Sequence, residues 1–284
     1  VGVDRFRRLR NWGSVAGLVF FASLTVNAAN VTISVAGTAT GAPNTFSGSA
    51  LVTISSAFTN RSIFYSLDGS APTTGGPLTY NGPFTVNTDA TIRARAVNLN
   101  DFSTADAGPI IITIIPTYSL NVSTPGGGTV TKSPAAGSYL SNSVVTISAT
   151  AAVGWTFLYW QGDVNGVVPS KAITMNRNMT VQAIFGTTLN IDTVGSGLVQ
   201  LSPPNGPYAF GTTVQIMPKP MQGHYFNIWG GAASGSMFPR QFTVNQPNPT
   251  VSALFTELGS GQVNLYLDIV GNGSVTQSPL KNVY

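Results

Sequence analysis

The 284-residue sequence has no cysteine, one histidine (His224) and one glutamate (Glu257). The missing cysteine excludes disulfide frameworks, cysteine-ligated zinc, iron–sulfur clusters and thiol catalysis. A single histidine excludes a two- or three-histidine metal centre within one copy of the chain. Charge is also scarce. Only 8% of residues are Asp, Glu, Lys or Arg, against about 25% in an average soluble protein. That argues against polyelectrolyte tails and charge-laced coiled coils. No stretch sustains a 3.6-residue apolar period, so no amphipathic helix is expected. The composition disfavours an enzyme before any motif is read, and no cofactor or metal is expected.

The formal net charge is +4. Four of the thirteen basic residues are Arg5, Arg7, Arg8 and Arg10, and residues 29–284 carry 9 basic and 8 acidic groups. The chain beyond the first thirty residues is nearly neutral. A nucleic-acid surface needs clustered Lys and Arg, so no nucleic-acid partner is expected.

Residues 5–10 (RFRRLR) are cationic, and residues 12–26 are apolar and uncharged. Val26-Asn27-Ala28 then offers short residues before a cleavage after Ala28. This order is that of a secretory signal over residues 1–28. The apolar run is shorter than the roughly 20 residues of a spanning helix. The expectation is export to the cell surface or beyond, with the membrane touched only through the export signal.

What the sequence has in quantity is 31 glycines, 18 prolines and short β-branched runs. Val31–Val35, Ala50–Ile54, Ser62–Tyr65, Thr91–Val97 and Ile110–Ile115 alternate, with Gly, Pro, Asn and Asp between them. Short strands with turn clusters predict an all-β sandwich over residues 30–116. Within it, Asp68-Gly69 reads as a turn, with Asp capping and Gly supplying positive φ. Three blocks stand out: Tyr65 to Thr73 (YSLDGSAPT), Tyr80 to Phe84 (YNGPF) and Ala90 to Ala96 (ATIRARA). Their order resembles the chitobiase/β-hexosaminidase C-terminal domain family. The resemblance implies an immunoglobulin- or fibronectin-like sandwich that accompanies other domains without catalysing a reaction.

From residue 117 the chain repeats itself. Leu120, Gly128, Val130, Tyr139, Val145, Ile147, Phe157 and Trp160 recur 69 positions later as Leu189, Gly197, Val199, Tyr208, Val214, Ile216, Phe226 and Trp229. The modules are expected at 117–187 and 188–258. A third copy opens within 263–284, with Leu265, Gly273, Val275 and Tyr284 at the matching places. A repeat cannot bury its face with two strands, so further repeats or domains are expected beyond Tyr284. Gly128-Thr-Val130, Ser133-Pro134, Gly154-x-x-Phe157-x-x-Trp160-x-Gly162 and Met179 to Phe185 resemble the divergent InlB-type B-repeat family. That resemblance implies β-grasp-like modules, arrayed in tandem on bacterial surfaces and used as stalks or in surface contacts.

Candidate chemistry is sparse. Gly126–Gly128, Gly195–Gly197 and Gly271–Gly273 lie between strands, so they read as hairpin turns rather than phosphate loops. Asp163-Val-Asn165-Gly166 begins like a calcium loop, but position 12 is Thr174 where an EF-hand has Glu. Trp160, Trp229, Phe157 and Phe226 hold fixed repeat positions and read as core. Their three-residue spacing breaks strand alternation, so a bulge is needed for both rings of a pair to face inward. Trp155 and Tyr159 are replaced by His224 and Ile228 in the second copy. These two aromatics are the weak candidates for glycan contact.

The fold class expected is an all-β sandwich followed by tandem small β modules. The function expected is a non-catalytic secreted or cell-surface spacer and adhesive stalk. Its partners would be an extracellular glycan or cell-wall and surface components. The alternative is a carbohydrate-binding accessory region of a larger polysaccharide-active enzyme.

Overall fold

The computed structural model describes residues 21–28, 30–265 and 283. The cationic run, most of the apolar run and nearly all of the third copy lie outside the described residues. The described chain is all-β, with 22 strands. It divides into one unit ending at Tyr118 and a second beginning at Ser119.

The first unit contains β1 (Phe21–Ala28), β2 (Val31–Ala39), β3 (Thr45–Ser56), β4 (Arg61–Ser66), β5 (Phe84–Val86), β6 (Ala90–Asn98), β7 (Thr104–Ile115) and β8 (Thr117–Tyr118). The main strand order is β1-β2-β3-β7-β6-β4, with β5 added beside β3. Alternation decides which side chains go inside. Val31, Ile33 and Val35 of β2 and Val52 and Ile54 of β3 are buried, as are Ile92, Ala94 and Ala96 of β6 and Ile110, Ile112 and Ile114 of β7. They share one core. The sequence reads Phe21–Ala28 as the end of an export segment. In the structure it pairs antiparallel with β2. Leu24, Val26 and Ala28 follow the strand period and pack against the core.

The second unit holds two copies of one strand series. The first copy is β9 (Leu120–Ser123), β10 (Gly128–Ser133), β11 (Tyr139–Leu140), β12 (Val144–Ala151), β13 (Thr156–Gly162), β14 (Ser170–Thr174) and β15 (Met179–Thr187). The second is β16 (Asn190–Val194), β17 (Gly197–Ser202), β18 (Tyr208–Ala209), β19 (Thr213–Pro220), β20 (His224–Gly231), β21 (Arg240–Thr243) and β22 (Thr250–Glu257). In each copy the first strand runs parallel to the last: β9 with β15 and β16 with β22. The middle strands form a three-stranded antiparallel sheet, β10-β12-β14 and β17-β19-β21.

The aromatic pair is handled the same way in both copies. The register of β13 on β15 shifts between Phe157 and Tyr159, and that of β20 on β22 shifts between Phe226 and Ile228. The shift is the bulge that the three-residue spacing demands. It lets Phe157 meet Trp160 at 5.3 Å and Phe226 meet Trp229 at 4.7 Å between ring centroids. Both tryptophans are fully buried. Each indole N–H donates to a loop carbonyl, Trp160 to Val168 at 2.9 Å and Trp229 to Met237 at 3.0 Å. A buried indole needs that partner. Tyr139 and Tyr208 likewise donate to the carbonyls of Pro134 and Pro203, each at 2.8 Å.

Candidate functional site

The two repeats meet at a built joint. The last two residues of strand β15 pair with β18 of the next repeat, Gly186 opposite Ala209 and Thr187 opposite Tyr208. The Phe210 amide then donates to the Phe185 carbonyl at 2.9 Å. Thr187 sits at the centre and is only 3% exposed. Its hydroxyl donates to the Gly154 carbonyl of the first repeat at 2.6 Å and accepts from the Asn248 amide of the second at 2.8 Å. One side chain therefore satisfies a polar group from each repeat. A buried hydroxyl without such partners would be destabilising.

Beside Thr187 lies Trp155, one of the two glycan candidates. Its ring packs on Phe210, with centroids 5.4 Å apart. It also packs against the core cluster of the second repeat. The glycine-rich turn of the first repeat makes room for these rings. A Cβ at Gly126 would come within 2.5 Å of Phe210, and one at Gly127 within 2.8 Å of Trp155. The turn is thus a seat for aromatics and not the expected hairpin, because β9 pairs with β15 and β10 with β12 in a different sheet.

Tyr159, the other candidate, stands on β13 with 42% of its surface exposed. Among the described residues no ring contact joins it to Trp155. The structure does not bring the two together as one platform. The residues that complete the joint, Phe210, Thr187 and Asn248, are not singled out by the sequence reading. A signal was present for two of them. The repeat puts Ser141 where Phe210 stands and, by the strand register, Glu257 where Thr187 stands. Residues common to both copies build each core, whereas Trp155, Phe210 and Thr187 depart from the repeat and build the contact between copies.

Other weighed residues have structural roles. Asp163 accepts from Arg177 and from the Thr180 amide, each at 2.7 Å. Both carboxylate oxygens are engaged in holding the turn after β13. Among the described residues no three His, Asp or Glu side chains are grouped to hold a metal. Asp68 accepts from both the amide and the hydroxyl of Ser70, at 2.9 and 2.6 Å. Those hydrogen bonds, led by the hydroxyl's, hold its carboxyl below the usual range. This is an Asx turn. His224 lies half-buried at the start of β20, with Nε2 4.0 Å from Glu257. In the first unit, Tyr65 stacks on Phe84 at 4.6 Å and lines two open clefts of about 440 and 350 Å³.

Comparison with known families agrees with this division. Residues 118–188 and 187–259 match the divergent InlB B-repeat domain family, which together is half of the chain. The chain belongs to the divergent InlB B-repeat family. Residues 41–106 match the chitobiase/beta-hexosaminidase C-terminal domain family. A comparison with curated proteins returned no match. Both families are accessory domains without catalytic function, of a kind found in extracellular modular proteins. InlB-type repeats typically occur in surface or secreted bacterial proteins.

Proposed function

We propose that this chain is a spacer and adhesive segment of an exported modular protein, and that it catalyses no reaction of its own. The observation that carries this reading is the joint at Thr187. Strand pairing, a shared hydroxyl and the Trp155–Phe210 contact all cross from one repeat to the next. Two modules joined that way hold a fixed relative orientation, which a spacer needs and a flexible linker does not supply. Export through residues 1–28 accompanies this reading. Cleavage after Ala28 would remove β1 and leave β2 at the sheet edge.

The chain lacks cysteine, so labels can be placed at will. Spin labels at Thr174→Cys and Gln241→Cys, both exposed, report the distance between the repeats. A single narrow distance distribution is expected. A broad one that narrows only on adding a ligand would overturn the spacer reading.

The accessory-region reading makes a different demand, which is an aromatic face open to a sugar. Trp155 has Phe210 against it, so Tyr159 is left as the exposed ring of the pair. Binding of the chain to insoluble glycans, abolished by Tyr159→Ala, would favour that reading.

A further inference from the structure

The hairpin joining β6 to β7 carries an unusual tip. Phe102 is 77% exposed and adopts φ +56°. The left-handed region favours Gly and Asn, and a bulky side chain there is an outlier. Leu99, 43% exposed, lies in the same turn. The turn is well tied. The Phe102 amide donates to the Asn98 carbonyl at 2.8 Å. Asp101 accepts from the Ser103 amide and hydroxyl at 2.9 and 2.7 Å, and Asn60 donates to Asn100 at 2.9 Å. Two large apolar groups are thus held out in water by a rigid scaffold, one of them at a strained backbone position. Strain held in place by its surroundings is characteristic of working surfaces.

The tip is flanked by opposite charges. Arg61 and Asp101 are both exposed. The Arg61 guanidinium donates to the Phe58 carbonyl at 2.8 Å. Neither residue forms an ion pair among the described residues. Arg61 pairs with Asn98 across β4 and β6, which places it beside the turn. The hydrogen bonds from the Ser103 hydroxyl and amide hold the Asp101 carboxyl below its usual range.

We propose that this tip is a homotypic contact site, where the Leu99–Phe102 end of one copy meets the same end of a second copy. Across a two-fold axis a residue that meets a second residue of the partner has that contact repeated in reverse, and groups on the axis meet their own counterparts. The apolar pair stacks on the partner's apolar pair, and each Arg61 faces an Asp101. Among the described residues neither charge has an ion-pair partner, and the pairing supplies one to each. A lipid surface fits less well, because Asp101 would be driven toward the headgroups with Phe102. The tip lies at the start of β7, and the chain leaves the unit after the other end of that strand. Twelve residues of strand span on the order of 35–40 Å. The contact end is therefore remote from the link to residue 117. The inference deepens the adhesive half of the proposed function and rests on that reading for its purpose. The patch is small, so each contact is weak, and many copies on one surface would supply the avidity.

The test is sedimentation velocity of the full chain from roughly 20 µM to about 1 mM, the range of weak contacts. Reversible dimer formation is expected in the upper decade of that range. Phe102→Gly suits the backbone, so it should fold with a raised unfolding temperature and remain monomeric. Arg61→Glu should weaken dimerisation, more so at low salt. A chain that stays monomeric throughout would overturn the proposal. So would a Phe102→Gly variant that dimerises as well as the parent. Phe102-dependent binding of a monomeric chain to phosphatidylcholine vesicles would also overturn it, and would make the tip a lipid anchor. None of these variants touches the repeat joint, so failure here leaves the spin-label result standing.

Discussion

Trp155 and Phe210 belong to different repeats, 55 positions apart, and their rings meet at 5.4 Å with an interplanar angle of 42°. The pair closes one side of the joint whose centre is Thr187. Aromatic pairs add about 0.5–1.5 kcal/mol beyond the area they bury. Trp155→Ala should therefore destabilise the second unit by about 1.5–3 kcal/mol, less than a fully buried tryptophan. Phe210→Ala should do the same. The double variant should cost less than the sum, because either change alone removes the contact. Equilibrium denaturation of the four chains measures the coupling. Strict additivity would mean that the rings do not interact.

Thr187→Val tests the hydroxyl alone. Valine fills the same space but leaves the Gly154 carbonyl and the Asn248 amide without their partner. The expected loss is about 1–3 kcal/mol. Thr187→Ser keeps the hydroxyl and should recover most of it. A larger loss for Ser than for Val would assign the stability to the methyl group.

Trp160→Ala should cost roughly 3–5 kcal/mol, comparable to the stability of a small module. Trp160→Phe keeps much of the ring but strands the Val168 carbonyl, at a loss of about 1–3 kcal/mol. Denaturant melts measure both. A loss under about 1 kcal/mol for Trp160→Ala would be inconsistent with a core role.

The cores were legible in the sequence because their residues recur at a fixed offset. So was the need for a bulge, since rings three apart cannot share one face of a regular strand. The joint was far less legible. Trp155 looks like a free aromatic until Phe210 is brought beside it by the β15–β18 pairing. No local pattern announces a partner in the next repeat. Departures from the repeat at Trp155, Phe210 and Thr187 carried the information, but only strand register shows that they converge. Phe102 gave no signal at all, since its exposure and backbone conformation depend on the turn being closed by Asn98 and Ser103.

In the first unit, Arg95 donates twice to Asp106, at 2.6 and 2.7 Å. The Arg95 hydrogen bonds hold the Asp106 carboxyl below the usual range. A depressed folded-state value means the contribution is complete above the unfolded value of about 4 and fades as pH falls through the folded one. Acidification below about pH 4 should lower the stability of this unit, and Asp106→Asn should flatten part of that fall. The pair is half-exposed, so the effect is small and shrinks with salt. Thermal melts across pH at two salt concentrations would show it. An unchanged pH slope in Asp106→Asn would remove the pair from the account.

The central claim is that the two repeats form one locked body. The Phe210 amide reports on it directly, because its hydrogen bond to the Phe185 carbonyl exists only while the joint is closed. Native-state hydrogen exchange should find this amide protected nearly as well as the core strand amides of β22, and deprotected in Thr187→Val. Exchange at the rate of a free loop amide in the unaltered chain would contradict the claim.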